Sequence, residues 1–244
     1  MKYNKKIKFL EIIFNNIDHK DIKILLKSNG LFVFPAAEPL ANFKKNSQYH
    51  KSLIYSDYVF FDSGYFVILL KIIKGISVKK FSGYKFLKIF LKYLKKKNNK
   101  VLLVDPTIRI SKKNIRFFKN LGINKVKSYI APIYRGNSIK DMRLVNYINK
   151  FQPEDIIINL GGGIQEVLGF YIKSKIIYKP KIICTGGAIS YFTGDQAPIS
   201  DFIDKIYLGW FFRILFKPKI FFPRYLSAFH LLIRVLKNKI EIVN

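Results

Sequence analysis

The stretch 155–166, with the sequence DIIINLGGGIQE, joins an apolar run to three glycines and then to two polar side chains. Its β-branched residues are typical of a buried strand, and residues 165–173 have a helical pattern. A glycine turn between a strand and a helix can present free backbone N–H groups to a phosphate, with Gln165 and Glu166 at its mouth. The turn matches neither G-x-G-x-x-G nor a P-loop, so a tight turn without a ligand is the alternative.

A second candidate for chemistry is Asp62, which directly follows the apolar residues 58–61 and precedes Ser63 and Gly64. A carboxylate approached through apolar surroundings is desolvated, which raises its pKa and suits it to act as a general base. The alternative interpretation is that Asp62 caps the helix predicted to follow it.

Strand-like and helix-like segments alternate along most of the chain. This alternation predicts an α/β, Rossmann-like fold: a mostly parallel sheet with helices on both faces. The predicted strands are 31–34, 58–61, 101–104, 126–130, 156–158 and 182–184, and 2–14 is interpreted as a short strand or helix. The predicted helices are 18–28, 38–46, 49–56, 65–74, 84–97, 111–120, 138–150 and 165–173.

Ligands of open α/β sheets bind beyond the carboxyl ends of the strands. That rule selects four turns as the predicted site: 35–38, 62–64, 161–163 and 185–188. The chain lacks the glycine fingerprint of a dinucleotide-binding oxidoreductase after its first strand, which argues against that class of enzyme.

Charge gives a further indication of partners. The 244 residues carry a formal net charge of +29, mostly from lysine, which favours a polyanionic partner such as a membrane surface, phosphorylated substrates or nucleic acid. Two alternatives stay open: the lysine excess reflects an AT-rich genome, or the chain is a basic nucleotide- or nucleic-acid-binding protein. Because the lysines are spread over the chain, we expect no specific nucleic-acid partner.

Metal and disulfide chemistry are not predicted. One cysteine, Cys184, and three scattered histidines argue against both a disulfide framework and a zinc site. Asp201 and Asp204 do not form a D-x-D motif, so we expect no essential metal and no cofactor. The single cysteine also favours a reducing compartment.

The last fifth of the chain differs in character. We divide the sequence into an α/β core, 1–195, and a basic, aromatic, helical appendage, 196–244. Aromatic and basic residues interleaved on short helices suggest an element that lies on an anionic membrane. An ordinary helical subdomain is the alternative. No signal peptide or membrane-spanning stretch is predicted, so we expect a cytoplasmic protein, peripheral at the inner face of the cell membrane.

Four ordered motifs resemble the WecG/TagA/CpsF family of bacterial glycosyltransferases. They are NGLFVFPAAEPLANFKKNSQYHKSLIYSDYVFFDSG, GGGIQE, GGAISYFTGDQAP and LGWFFRILFKPKIFFPRYL, and they span about residues 28–235. The resemblance implies transfer of a sugar, typically N-acetylmannosamine or its uronic acid, from a UDP-sugar to a polyprenyl-diphosphate-linked acceptor. It also implies a product used in wall teichoic acid, common antigen or capsule. A homo-oligomer is possible.

The resemblance also assigns residues. It implies that Asp62 is the catalytic base of an inverting single displacement, and it places Gln165 and Glu166 in the sugar-nucleotide site. We expect the departing UDP to be stabilised by the turn at 161, Arg213 and Arg224. The matching glycines are Gly186 and Gly187; the matching residues of the appendage are Trp210, Arg213, Arg224 and Tyr225; and the predicted substrate-binding set is completed by Gly161, Gly162, Gly163 and Lys80.

The chain departs from the family's pattern near the predicted pocket. Gly163 and Ile164 replace the Pro-Lys of the family's glycine turn, and Ser63 separates Asp62 from Gly64. These differences predict a divergent subfamily whose donor sugar can differ from N-acetylmannosamine. The other departures are Phe34, Ala36, Gln196 and Gly209.

Overall fold

The computed structural model describes residues 6–134, 139–195, 215 and 218–243. Nine strands of these residues form one sheet with the order β6-β5-β7-β8-β3-β4-β2-β1-β9. The strands are β1 Lys6–Phe9, β2 Ile12–Asn15, β3 Gly30–Val33, β4 Tyr58–Phe60, β5 Val101–Asp105, β6 Val126–Ile130, β7 Asp155–Ile158, β8 Lys181–Cys184 and β9 Ile240–Val243.

The helices connect the parallel strands and cover the sheet. They are α1 His19–Lys27, α2 Ala37–Asn42, α3 Gln48–Ile54, α4 Gly64–Lys74, α5 Gly83–Leu94, α6 Ile108–Asn120, α7 Met142–Phe151, α8 Ile164–Lys175, α9 Ser190–Thr193, α10 Pro218–Ala228 and α11 His230–Lys237, with a 3-10 helix at Gly186–Ile189.

The sheet is parallel from β6 to β2, and β1 and β9 add an antiparallel edge. The predicted α/β class with a mostly parallel sheet is therefore confirmed. The central strands are apolar on both faces: Val101 and Leu103 of β5 pack into one core, and Leu102 and Val104 pack into the other. Such continuous apolar runs are typical of parallel strands buried between two helical layers.

The two layers use different helices. One core lies between the sheet and helices α2, α3, α4, α7, α8, α10 and α11. The other lies under α1, α5 and α6 and contains a cluster of phenylalanines in which Phe34 and Phe60 stack with their ring centroids 4.7 Å apart. Helices therefore cover both faces, as the sequence predicts.

The segment 2–14, interpreted as one strand or helix, contains the hairpin of β1 and β2. Its turn residues, Leu10 and Glu11, have φ angles of 51° and 66°. A two-residue turn with both φ angles positive matches the twist of a hairpin, but it usually carries Asn-Gly or Asp-Gly. The sequence does not predict the hairpin, because leucine and glutamate are not typical of such a turn.

The carboxyl-terminal part of the predicted appendage also contains a strand. β9 pairs antiparallel with β1, and Lys8 faces Glu241 across the pair, with 3.9 Å between the charged atoms. Residues 240–243 thus belong to the sheet of the core rather than to a purely helical appendage. The division at residue 195 stays a prediction, because residues 196–214 lie outside the described part of the chain.

Candidate active site

The four turns selected from the sequence follow strands β3, β4, β7 and β8. In the sheet these strands are consecutive, in the order β7-β8-β3-β4. Because they are parallel, their carboxyl ends meet at one edge, and Cys184 of β8 pairs with both Val33 and Ile158. The fold therefore brings the four predicted turns together in one row.

Asp62 lies at one end of this row, half-buried, two residues after the end of β4. Its Oδ1 accepts a hydrogen bond of 2.8 Å from the N–H of Gly83, the first residue of α5. The positive end of a helix favours the ionised carboxylate. The hydroxyl of Ser63 accepts the N–H of Phe66 and caps α4, so the cap predicted for Asp62 as an alternative is supplied by Ser63.

Lys80 belongs to the segment that leads from α4 to α5. The N–H of Phe81 donates to the carbonyl of Phe61 over 2.9 Å, which holds this segment against the end of β4. Lys80 is half-buried, and its backbone lies beside the turn that carries Asp62. The structure therefore brings together the predicted base and one predicted substrate-binding residue.

The glycine turn after β7 presents Gly161 and Gly162 to solvent. A Cβ at Gly162 would lie 3.3 Å from Pro39 of α2, so this turn contacts the element that follows β3. Gly163 has a φ of 89°, a conformation that favours glycine and that proline, fixed near −65°, cannot adopt. The turn therefore has a different backbone from one with the family's proline at this position.

Gln165 and Glu166 lie beneath this turn, with only 3% and 0% of their surfaces exposed. Glu166 accepts hydrogen bonds from the N–H of Gly163 at 2.7 Å and from Nε2 of Gln165 at 3.1 Å. Oε1 of Gln165 accepts the N–H of Gly186 at 2.6 Å. The two side chains thus connect the turn after β7 to the turn after β8.

Burial raises the pKa of Glu166 from 4.5 to about 7, because no water solvates the charged form. The hydrogen bonds from its own N–H, from Gly163 and from Gln165 oppose this increase, and the nearby charge of Asp62 adds to it. The carboxyl groups of the two predicted site residues are therefore electrostatically coupled.

The turn after β8 needs glycine at its second position. Gly186 has a φ of 58°, and a Cβ there would lie 3.3 Å from the carbonyl oxygen of Leu160. Gly187 is exposed at the same turn. Gly83 also permits a close approach, because its missing Cβ would lie 3.2 Å from the Cβ of Thr185. These contacts hold α5 and β8 together beside Asp62.

Part of the predicted appendage can be placed. Arg224 is exposed on α10, and α10 packs on α2, the helix that contacts Gly162. Trp210 and Arg213 lie outside the described residues. Tyr225 belongs to α10.

One polar cluster, around Asp105, was not predicted from the sequence. Asp105 ends the otherwise apolar strand β5, a signal like the one that selected Asp62, but it is fully buried. Its Oδ1 accepts Nδ2 of Asn114 at 2.7 Å and Nδ2 of Asn159 at 2.8 Å. Burial raises the pKa of this carboxyl group, and the two amides partly oppose the increase. Asp105 connects β5, α6 and the end of β7, and it has no exposed surface.

Within the described ranges, no group of three or more histidine, cysteine or acidic side chains could hold a metal ion. In the same part of the chain, no helix is both long enough and apolar enough to cross a membrane.

A mostly parallel α/β sheet with glycine turns, a buried Gln-Glu pair and a half-buried aspartate at one carboxyl edge belongs to the class of open α/β proteins, whose ligands bind at that edge. The model of the glycosyl transferase WecG/TagA/CpsF family matches residues 7–243, which shows that the chain belongs to this family. The resemblance found in the motifs is thereby confirmed over nearly the whole chain. No individual curated protein matches it.

Proposed function

We propose that this glycosyltransferase moves a sugar, N-acetylmannosamine or a similar one, from a UDP-sugar to a polyprenyl-diphosphate-linked acceptor. The product would enter a bacterial cell-surface polysaccharide. One observation supports this most: the carboxylate of Asp62 lies in a row with the glycine turns after β7 and β8. A base at one end and backbone N–H groups further along suit a reacting sugar followed by its diphosphate.

In the proposed reaction the acceptor hydroxyl attacks the anomeric carbon, and Asp62 takes the hydroxyl proton. The bond from that carbon to the UDP oxygen breaks, and UDP leaves with the electron pair, so the configuration inverts. The N–H of Gly83 orients the carboxylate and favours the ionised form that a base needs.

The departing diphosphate needs positive or dipolar partners. Gly161 and Gly162 are exposed at the turn that begins α8, and Arg224 is exposed on the helix packed against α2. We propose these residues, with Lys80 and Arg213, as the groups that bind the donor and stabilise the leaving group without an essential metal ion.

The transfer can be tested with a screen of UDP-sugars against a polyprenyl-diphosphate acceptor analogue. We expect one donor to be consumed by the wild type and turnover to fall at least a hundredfold in Asp62→Asn, as for loss of a general base. Asp21→Asn, in the first turn of α1, is the matched control and should keep wild-type activity. Consumption of no UDP-sugar, or an active Asp62→Asn, would refute the mechanism.

We further propose that the protein binds the inner face of the cell membrane and so reaches its lipid-linked acceptor. An apolar surface lies on α4, α10 and α11, and α4 begins just after Asp62 and packs on α11. Basic residues border this surface, which suits anionic lipids. Its exposed apolar members are Ile68, Ile72, Leu226, Phe229, Ile233 and Leu236, and its exposed basic members include Lys71, Arg224 and Lys237.

Flotation with vesicles of phosphatidylglycerol and phosphatidylcholine tests the membrane proposal. We expect Ile72→Glu, at a side chain 76% exposed, to reduce binding to the anionic vesicles. Ile177→Glu is the control: Ile177 is 99% exposed, but it lies between α8 and β8, outside the three helices that carry the proposed surface. Equal binding by both variants and the wild type would show that this surface does not bind the vesicles.

Whether the protein forms a homo-oligomer stays a prediction.

A further inference from the structure

Glu166 is the most deeply buried acidic group near the candidate site. It has no exposed surface, so its carboxylate cannot contact a substrate in this arrangement. It is the third residue of α8, and it accepts the N–H of Gly163, the N-cap residue, as the glutamate of a capping box does; glycine has no side chain to supply the other bond of such a box. That bond alone would make Glu166 a helix cap.

The second hydrogen bond of Glu166 goes further than a cap. An ionised carboxylate can only accept, so Gln165 must present Nε2 to Glu166 and its oxygen to the N–H of Gly186. Each oxygen of Glu166 accepts one of these bonds, so a proton on either oxygen would weaken the bond to Gly163 or the bond to Gln165. The ionised form of Glu166 thus supports both bonds through which it and Gln165 connect the two turns.

We propose that Glu166 is a positioning residue: in its ionised form it holds the turns after β7 and β8 in one arrangement beside Asp62, and protonation releases that arrangement. Its effect on catalysis rests on the proposed transfer reaction, whereas its effect on the two turns does not.

The surroundings of Glu166 place this change near neutral pH. Burial raises the pKa of Glu166 to about 7, and the charge of Asp62, at the end of β4, raises it further. Tyr49 of α3 and Cys184 of β8 also face Glu166, whose charge adds to the increase that burial causes in their own pKa values. Glu38 of α2 acts on Tyr49 in the same sense.

The structural part can be tested by NMR of the full chain labelled with ¹⁵N-glycine. We expect the amide signals of Gly163 and Gly186 to move together between pH 5 and 9, with one midpoint near 7. In Glu166→Gln neither should move in this range. In Gln165→Met the signal of Gly163 should still move while that of Gly186 stays, because the connecting amide is gone.

Two NMR results would overturn the inference. One is movement of Gly163 without Gly186 in the wild type, which would make Glu166 a helix cap only. The other is an unchanged titration of both signals in Glu166→Gln. Asp62→Asn adds an internal check: removing the charge of Asp62 should lower the pH midpoint at which the signals of Gly163 and Gly186 move.

The catalytic part needs the pH profile of kcat. In Glu166→Gln one of the donors that Glu166 accepts loses its acceptor, so we expect kcat at pH 8 to fall roughly ten- to a hundredfold with little change in KM. In Glu166→Gln, kcat should also fall less below pH 7 than it does in the wild type. Glu166→Asp should restore part of this pH dependence. Glu154→Gln, at an exposed carboxylate, should match the wild type.

The same pH profile in Glu166→Gln, merely lower at every pH, would mean a structural role alone and would overturn the catalytic part. Absence of turnover by the wild type with every UDP-sugar would instead refute the proposed function. The NMR titration would then still decide whether Glu166 positions the two turns.

Discussion

Ionisation of Glu166 should make the protein less stable as the pH rises, and Glu166→Gln should remove that dependence. The carboxyl group has a pKa of about 7 in the folded protein and 4.5 as its ordinary value. Because the pKa is higher in the folded protein, protonation of Glu166 stabilises the fold. This contribution to the free energy of unfolding is complete below pH 4.5 and is lost as the pH rises through 7.

The size of the effect follows from the two pKa values. At about 1.4 kcal/mol per pKa unit, the increase from 4.5 to about 7 corresponds to roughly 3 kcal/mol of the free energy of unfolding. Because Glu166 is fully buried, solvent screening does not reduce this figure much. The free-energy difference between Glu166→Gln and the wild type should therefore shift in favour of the variant by about 3 kcal/mol between pH 4.5 and 8.5.

Urea unfolding at several pH values measures this shift. Other groups titrate in both proteins, so their contributions cancel in the difference between variant and wild type. Glu154→Gln, at an exposed carboxylate, is the control for the loss of a surface carboxylate and is measured over the same range. A constant difference for Glu166→Gln would show that Glu166 does not bear a raised pKa, and the reasoning would fail.

Three further substitutions test the geometry of the site. Gly186→Ala should lower stability by about 1–2 kcal/mol or more, because alanine is strained at a positive φ and its Cβ would meet a carbonyl oxygen. Gly161→Ala should not lower stability, because no atom lies within 4 Å of the added Cβ. Ser63→Ala should lower the melting temperature by removing a cap worth about 1 kcal/mol but leave turnover intact, the reverse of Asp62→Asn. Thr185→Val should keep or raise the melting temperature, since its buried hydroxyl has no partner among the described residues; a loss above 1 kcal/mol would reveal one.

The sequence predicted the parallel core because its strands are uniformly apolar and separated by helical segments. The run 156–158 is buried on both faces, as expected for a central strand. The rule on carboxyl ends then selected four turns, and the sheet order shows that they are neighbours. The order itself could not be predicted, because hydrophobic periodicity does not say which strands pair.

Burial of individual polar groups was the harder problem. Gln165 and Glu166 were expected at the mouth of the turn, and they lie beneath it. Asp62 and Asp105 both come directly after apolar residues, yet only Asp105 is fully buried. One of the two amides that bind Asp105, that of Asn159, is 54 residues away in the sequence. Such long-range partners leave no local signal.

The pairing of β9 with β1 changes how the carboxyl-terminal region can be studied. Residues 240–243 pair with the edge strand of the core sheet, and Ala228, Leu231 and Val235 of the preceding segment are buried in its core, so this end of the chain is part of the folded core. Removing everything after residue 195 would uncover the backbone N–H and C=O groups of β1 and invite aggregation through that edge. Loss of membrane binding in such a truncated protein would therefore say little about lipid contacts, and single substitutions that keep β9 in place are the cleaner probe.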